Sequence, residues 1–77
     1  MQVEVLFFGS LTDATEVSAI TLADIGDTHQ LQQELVKRYP ALAKAKYILA
    51  VNKKMISNIT PLSDRDIVAC MPPFSGG

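Results

Sequence analysis

The 77-residue chain carries seven basic and eight acidic side chains, and 48% of its residues are apolar. A chain of this length forms one domain and buries about 60% of its unfolded surface, which leaves no room for a second core or a deep active site. The near-zero net charge argues against nucleic acid and anionic membranes as partners, and a single cysteine excludes an intramolecular disulfide. No cluster of Cys or His suggests a metal site.

The N-terminal stretch bears on location. Residues 1–8 contain a short apolar run interrupted by Glu4, which is too short for a membrane span and unlike a secretion signal. We therefore expect a soluble protein of a reducing cytoplasm, with no nucleic acid and no membrane among its partners.

Alternating side chains predict a first strand over residues 3–8. The side chains expected to face the core are Val3, Val5 and Phe7. On the opposite face, Leu6 and Phe8 accompany Glu4 and place apolar area where a half-exposed strand usually carries polar side chains. Two interpretations remain open, because either a second layer of the chain or a partner protein can cover Leu6 and Phe8.

The next segment has a weaker pattern. Residues 9–15 contain Gly, Ser, Thr and Asp without a period, which predicts a loop or a long hairpin connection. A strand-like pattern resumes over residues 16–22, in a register that the pattern leaves open. The candidates for its inward face are Val17, Ala19, Ile20 and Leu22.

One main helix is predicted after Gly26. Asp27 is the expected N-cap and Gln30 occupies the capping-box position, a pair that stabilises a helix by roughly 1 kcal/mol. Lys37 and Arg38 complement the helix dipole in the last turn, and Pro40 ends the helix. The predicted buried stripe consists of Leu31, Leu35, Val36 and Tyr39.

The rest of the chain returns to strands. The predicted elements are a single helical turn at 41–46, a central strand at 47–51, a brief strand at 55–56 and a last strand at 67–71. By alternation along the last strand, Val68 and Cys70 point inward, whereas Ala69 and Met71 point outward. This order of two strands, one helix and further strands predicts an α+β fold of the β-grasp (ubiquitin-like) type. We expect a mixed sheet of four to five strands wrapped around one main helix, in a single domain over residues 1–77.

The last six residues form an extended C-terminal tail at 72–77. Pro72 and Pro73 favour an extended backbone, and Gly76 and Gly77 carry no side chains, so the tail reaches about 20 Å and can thread into another protein. An activating enzyme can close around an unhindered glycine carboxylate and adenylate it. The acyl adenylate then reacts with an amine, giving protein conjugation, or with a sulfur nucleophile, giving a thiocarboxylate. A frayed terminus without function is the third interpretation.

Several segments carry a resemblance to a known family. They are Val5-Leu6-Phe7-Phe8-Gly9, Ala50-Val51-Asn52, Pro61-Leu62-Ser63-Asp64, Asp66, Val68-Ala69 and Pro72-Pro73-Phe74-Ser75-Gly76-Gly77. In these segments the chain resembles the small, sulfur-carrying subunits of molybdopterin synthase. The Pro-Pro-x-Ser/Thr-Gly-Gly ending is the most specific part, because ubiquitin and the thiamin sulfur carrier are similar in fold and in the final Gly-Gly but usually lack the diproline.

The chain departs from that family at three places. Arg65 stands where the family usually has glycine, so the arginine is strained if the turn requires a positive φ. Phe74 replaces a smaller valine, and Cys70-Met71 replaces bulkier apolar residues. These changes bear on the fit to a partner and leave the terminal chemistry untouched.

The resemblance implies a carrier without a catalytic site of its own. A ubiquitin-activating-like adenylyltransferase that uses ATP would adenylate Gly77, and a persulfide sulfur donor would convert the adenylate to a thiocarboxylate. The chain itself would bind no cofactor. The tail residues expected to enter the active site of the molybdopterin synthase large subunit are Pro72, Pro73, Phe74, Ser75 and Gly76. There the terminal sulfur would attack cyclic pyranopterin monophosphate. The residues expected to contact this subunit are Leu6, Phe8, Met71 and Phe74.

Three other functions remain as alternatives. A ubiquitin-like modifier would pass activated Gly77 to lysine amines, and a thiamin sulfur carrier would deliver sulfur to thiazole synthesis. A non-enzymatic interaction module would tolerate removal of both glycines.

Other conspicuous side chains have simpler interpretations. Cys70 is expected to be a buried structural cysteine, and His29 a solvated helix residue. We expect Asp64 and Asp66 to stabilise a turn rather than to hold a metal. Lys53 and Lys54 form a solvated turn or steer a partner.

Overall fold

A computed structural model describes residues 1–73 of the chain. The expectations for Phe74, Ser75, Gly76 and Gly77 lie outside the described residues. Within residues 1–73, no helix has the length and apolar character needed to cross a membrane.

Five strands form one mixed sheet. They are β1 (Gln2–Phe7), β2 (Ala19–Ala23), β3 (Ile48–Val51), β4 (Lys54–Ile56) and β5 (Ile67–Met71). Their order across the sheet is β2-β1-β5-β3-β4, with β1 parallel to β5 and every other pair antiparallel. The last strand in the sequence is therefore the middle strand of the sheet. The apolar strand β3 has a neighbour on each side, which agrees with its predicted interior position.

The main helix, α2 (Thr28–Arg38), begins where the capping pattern predicts. The Asp27 carboxylate accepts a hydrogen bond from the Gln30 backbone N–H at 2.8 Å. The Gln30 side-chain oxygen in turn accepts from the Gly26 N–H at 2.8 Å, one residue earlier than in the usual capping box. After α2, the alanine-rich segment forms a 3₁₀ helix, Pro40–Lys44, in place of the predicted helical turn at 41–46.

The prediction of a loop over residues 9–15 was wrong, because a short helix, α1 (Leu11–Thr15), lies there. Leu11 and Thr15 are four residues apart and both are buried, which is the spacing of one helical face. The Thr15 hydroxyl donates to the Val17 carbonyl at 2.7 Å, so this buried polar group has a hydrogen-bond partner. Glu16 ends the helix in the left-handed region at φ 61°. Two apolar residues in five, Leu11 and Ala14, were too weak a pattern to reveal this helix.

The core lies between the sheet and α2. Its buried apolar members are Val3, Val5, Phe7, Leu11, Leu22, Ile25, Leu31, Leu35, Leu42, Leu49, Leu62, Val68 and Cys70. The predicted inward faces of β1, α2 and β5 are thereby confirmed, with Val36 and Tyr39 partly buried against the cluster. The Phe7 ring meets the Tyr39 ring edge to face, with centroids 6.0 Å apart, and so joins β1 to the end of α2.

Two inward assignments in the second strand were wrong. Val17 is 39% exposed and precedes β2, which begins only at Ala19. Ala19 pairs with Leu6 and therefore lies on the face of the sheet opposite the core. Leu22 is buried and Ile20 is partly buried, so these two of the four candidates face the core. They pair with Val3 and Val5, the inward residues of β1.

Candidate functional site

The C-terminal tail directly follows β5, the middle strand of the sheet. β5 pairs with β1 on one side and with β3 on the other, so neighbours hold it along both edges. Val68 and Cys70 anchor its inward face and are 0% and 1% exposed. Pro72 is half-buried and Pro73 is exposed, so the described part of the tail leaves the protein surface within two residues of the strand.

The sheet surface opposite α2 is predominantly apolar. One row of paired residues crosses all five strands: Ala19, Leu6, Ala69, Ala50 and Met55. A second row pairs Met71 with Ile48, next to the root of the tail. We call this surface the outer face and define it by Leu6, Phe8, Ile48, Met55, Ile67, Ala69 and Met71.

The outer face is open in the part of the chain that the structure describes. Phe8 is 47% exposed, Met55 65% and Ile67 42%. Burial by residues 1–73 therefore does not account for the apolar side chains at these positions. Of the two interpretations left open for Leu6 and Phe8, coverage by a partner is the one that this exposure favours.

Two apolar grooves divide the outer face. The groove at the tail root has a volume of about 410 Å³ and is lined by Phe8, Gly9, Ile48, Met55, Met71, Pro72 and Pro73. The other has a volume of about 370 Å³ and is lined by Leu6, Phe8, Asn52, Lys53, Ile67 and Ala69. Phe8 lies between them and contributes to both. Of the four predicted docking residues, the fold brings Leu6, Phe8 and Met71 onto this single surface, and the fourth, Phe74, lies outside the described residues.

Sequence reasoning missed three residues of the outer face, which come from three strands: Ile48, Met55 and Ile67. Alternation placed Ala69 outward, although Ala69 was not among the predicted docking residues. Extending the same alternation by two residues would have placed Ile67 on that side too. The pairing of Met55 with Ala50 depends on strand register, which the pattern of a three-residue strand does not define.

Polar groups at the edge of the outer face stabilise turns. The Asp66 carboxylate accepts the Ser63 N–H at 2.8 Å and the Asn52 side-chain amide at 2.9 Å, and both hydrogen bonds hold the pKa of Asp66 below its usual value. Asp64 accepts the Gln2 N–H at 2.6 Å. Both aspartates therefore have the predicted turn role, and residues 1–73 contain no group of three acidic, His or Cys side chains arranged to hold a metal.

Cys70 has the structural character predicted for it. Its side chain is 1% exposed, and burial raises its pKa to about 12. A thiol of that pKa is almost never ionised at neutral pH, and the thiolate is the reactive form. Cys70 is therefore unsuited to relay sulfur. His29 is exposed in the first turn of α2.

A sequence model described as the ThiS family matches residues 5–77. The chain belongs to the ThiS family. The molybdopterin synthase sulfur carrier subunit from Escherichia coli (strain K12) is 37% identical to this chain, over an alignment 84 positions long that covers 97% of this chain and 99% of the relative. The resemblance to the small subunits of molybdopterin synthase, inferred from the two ends and the last third of the sequence, is thereby confirmed across almost the whole chain.

Solved structures confirm the β-grasp fold of this ThiS-family chain. One similar structure is a chain from the protein-protein complex of subunits 1 and 2 of the molybdopterin-converting factor from Helicobacter pylori 26695. The two chains are 29% identical and align with a TM-score of 0.77, over 100% of each. The small archaeal modifier protein 1 from Methanosarcina acetivorans is similar with a TM-score of 0.84, covering 99% of this chain and 96% of that one. Its identity of 24% shows a shared fold alone.

Proposed function

We propose that this chain is the sulfur carrier subunit of a molybdopterin synthase and works by presenting the carbonyl group of Gly77 to other proteins. The observation that carries the proposal is the continuity of two surfaces. The outer face reaches the root of the tail, where Phe8 and Met71 line one groove with Pro72 and Pro73. A partner that covers the outer face therefore also receives the tail. The identity of 37% to an Escherichia coli sulfur carrier subunit supports the same function.

Activation of Gly77 is the first step of the proposed mechanism. A ubiquitin-activating-like adenylyltransferase binds ATP, the Gly77 carboxylate attacks the α-phosphorus, and pyrophosphate leaves. The terminal sulfur of a persulfide donor then attacks the acyl carbon and releases AMP. A thiol supplies two electrons to cleave the remaining S–S bond, which leaves a thiocarboxylate on Gly77. In this scheme the chain holds no cofactor, and ATP belongs to the activating enzyme.

Delivery of the sulfur is the second step. The large subunit of the synthase covers the outer face and takes residues 72–77 into its active site. There the thiocarboxylate sulfur attacks an oxygen-bearing carbon of cyclic pyranopterin monophosphate, and the new C–S bond forms as the bond from that carbon to its oxygen breaks and the oxygen leaves. Water then cleaves the bond between the acyl carbon and the sulfur, which leaves sulfur on the pterin and returns Gly77 to a carboxylate. A thin tail that leaves a fixed strand lowers the entropic barrier of this encounter. The two-subunit complex of the Helicobacter pylori relative supports a partner of this kind.

Intact mass measurement tests the proposal directly. The protein is incubated with ATP, a ubiquitin-activating-like adenylyltransferase and a persulfide donor, and we expect its mass to rise by about 16 Da, because sulfur replaces one oxygen. Addition of the large subunit and cyclic pyranopterin monophosphate should return the mass to its starting value and yield a sulfur-containing pterin. Omission of ATP is the control.

The same experiment distinguishes the alternatives. Species heavier by the mass of a whole target protein would show a protein modifier and would overturn the sulfur-carrier proposal. A gain of sulfur that the pterin does not consume, but that thiazole synthesis does, would identify a thiamin sulfur carrier instead.

A further inference from the structure

Gly9 lies close against Pro72, the first residue of the tail. Gly9 has a φ of +57°, and a Cβ placed on it would lie 2.9 Å from Cγ and 3.4 Å from Cδ of Pro72. Carbon atoms that are not bonded to each other prefer a separation of about 3.5–4.0 Å. The Pro72 ring therefore occupies the space that any side chain at position 9 would need.

Backbone hydrogen bonds do not extend to this point. The Phe8 N–H donates to the Cys70 carbonyl at 3.0 Å, and the next bond of a parallel ladder would run from residue 72 to the Phe8 carbonyl. Pro72 has no N–H to donate. The Phe8 carbonyl instead accepts the Leu11 N–H at 3.2 Å, at the start of α1. Beyond the hydrogen bond from Phe8 to Cys70, β1 and the tail therefore meet through packing of the Pro72 ring against Gly9.

We propose that Gly9 is a positioning residue, which seats the Pro72 ring and sets the direction in which the tail leaves the domain. The inference rests on the proposed function, because direction matters only if the tail must enter another protein. A side chain at position 9 has to push the Pro72 ring away from β1. The diproline is stiff, so the displacement of Pro72 also moves Pro73 and changes the direction in which the chain continues toward Gly77. A misplacement of about 1 Å at a reacting atom can cost about 100-fold in rate.

The test must separate the contact from backbone strain. Gly9→Ala introduces the clash with Pro72 and also places a non-glycine residue at positive φ, which destabilises the fold by itself. The double variant Gly9→Ala with Pro72→Ala keeps the strained backbone but removes both ring atoms that the new Cβ would meet. Pro72→Ala alone is the reference for the double variant, because Pro72 belongs to the tail. Gly26→Ala is the control, since its Cβ would meet only the flexible Gln30 side chain, at 3.3 Å.

The measurements are kcat/KM for thiocarboxylate formation, followed by intact mass, and Tm for each variant. We expect Gly9→Ala to lower kcat/KM by about tenfold or more, and the double variant to match Pro72→Ala within about twofold. The Tm of the double variant should stay below that of Pro72→Ala, because the backbone strain at position 9 persists. Gly26→Ala should keep wild-type kcat/KM.

Two results would overturn the inference. In one, Gly9→Ala lowers kcat/KM of the Pro72→Ala protein by the same factor as it lowers kcat/KM of the wild type, so that strain alone explains the loss. In the other, Gly9→Ala is as active as the wild type. An NMR measurement keeps the geometry testable if Gly9→Ala does not fold, because the wild type should show a nuclear Overhauser effect between Gly9 Hα and Pro72 Hγ, and its absence would contradict the contact. If instead the wild type itself gains no sulfur while this effect is present, the proposed function fails and the contact stands.

Discussion

At the scale of single residues, Arg65 is held in a backbone conformation that suits glycine. Its φ is 69°, in the left-handed region, and its N–H donates to the Gln2 carbonyl at 2.6 Å. The side chain is 93% exposed and lies 3.9 Å from Asp64, an ion pair that contributes little in solvent. The turn therefore requires the positive φ, and no side-chain interaction compensates for it. The sequence-based concern about strain at Arg65 is confirmed.

We predict that Arg65→Gly stabilises the protein by about 0.5–1 kcal/mol, since relief of the left-handed strain exceeds the entropy that glycine adds to the unfolded chain. Urea unfolding at neutral pH measures the change. Lys46→Gly is the matched control, because it removes the same charge from an exposed residue that lacks a positive φ. It should destabilise the protein slightly, and an equal gain from both variants would show that charge, not strain, is responsible.

Asp66 joins two turns through one carboxylate. It accepts from Ser63 and from the Asn52 amide, while the Asn52 side-chain oxygen accepts the Ile67 N–H at 2.9 Å. The turn between β3 and β4 is thus tied to the start of β5. The Ser63 and Asn52 hydrogen bonds lower the pKa of Asp66, so they favour its ionised form in the folded state.

A pH-dependent loss of stability follows from the lowered pKa of Asp66. Its stabilising contribution is complete above the ordinary aspartate pKa of about 3.9 and is lost as the pH falls through the lower pKa of the folded state. We predict that Asp66→Asn is less stable than the wild type at pH 7 and that this difference shrinks at about pH 2.5. Urea unfolding at both pH values measures it. A deficit in Asp66→Asn that is equally large at both pH values would contradict the prediction.

At the scale of elements, β5 links the core to the outer face. Its inward residues, Val68 and Cys70, are fully buried, whereas Ile67 on the other face is 42% exposed. The same strand therefore stabilises the domain with one side and offers apolar area to a partner with the other. Because the inward side chains fix the register, the outward ones have defined positions.

We predict that Ile67→Thr weakens binding to the large subunit about 5–10-fold, because it removes apolar area from the outer face while keeping a β-branched side chain in the strand. Isothermal titration calorimetry with the large subunit measures the Kd. Ile59→Thr is the matched control, since Ile59 is 65% exposed but does not belong to the outer face. Equal weakening by the two variants would argue against docking at the outer face.

At the scale of the whole molecule, the fold separates a rigid body from the group that reacts. The core, α2 and the five-stranded sheet lie within residues 1–73, and the proposed reactive carbonyl belongs to Gly77, four residues further on. The core cluster and the sheet are built from residues that precede the tail. Stability and activity should therefore respond to different changes.

Deletion of Gly77 is predicted to abolish sulfur loading and molybdopterin formation, because the adenylated carbonyl would be one residue short of its place in both partners. Its Tm should stay within about 1 °C of the wild type, since the core cluster and the five strands consist of residues that precede the tail. Intact mass, pterin product and calorimetry measure these outcomes. Full activity of the truncated chain would contradict the carrier mechanism, and loss of the fold would contradict the predicted stability.

Local chemistry in the sequence predicted much of this protein. The Asp27–Gln30 cap, the end of α2 before Pro40 and the alternation in β1 and β5 are all readable, because each depends on neighbours within about four residues. The Pro-Pro-x-Ser-Gly-Gly ending indicated the family for the same reason. Helix α1 escaped notice, because its five residues owe their structure to the burial of Leu11 and Thr15 against the rest of the fold.

Long-range pairing decided the remainder. That Met55 lies in one row with Leu6, and that Pro72 lies against Gly9, follows from the strand order β2-β1-β5-β3-β4. Residues 9 and 72 are brought together only when β5 inserts between β1 and β3, and no local pattern encodes that insertion. The sequence by itself therefore determined which residues form strands, helix and tail, and the tertiary structure decided which of them form one apolar face and where the tail leaves it.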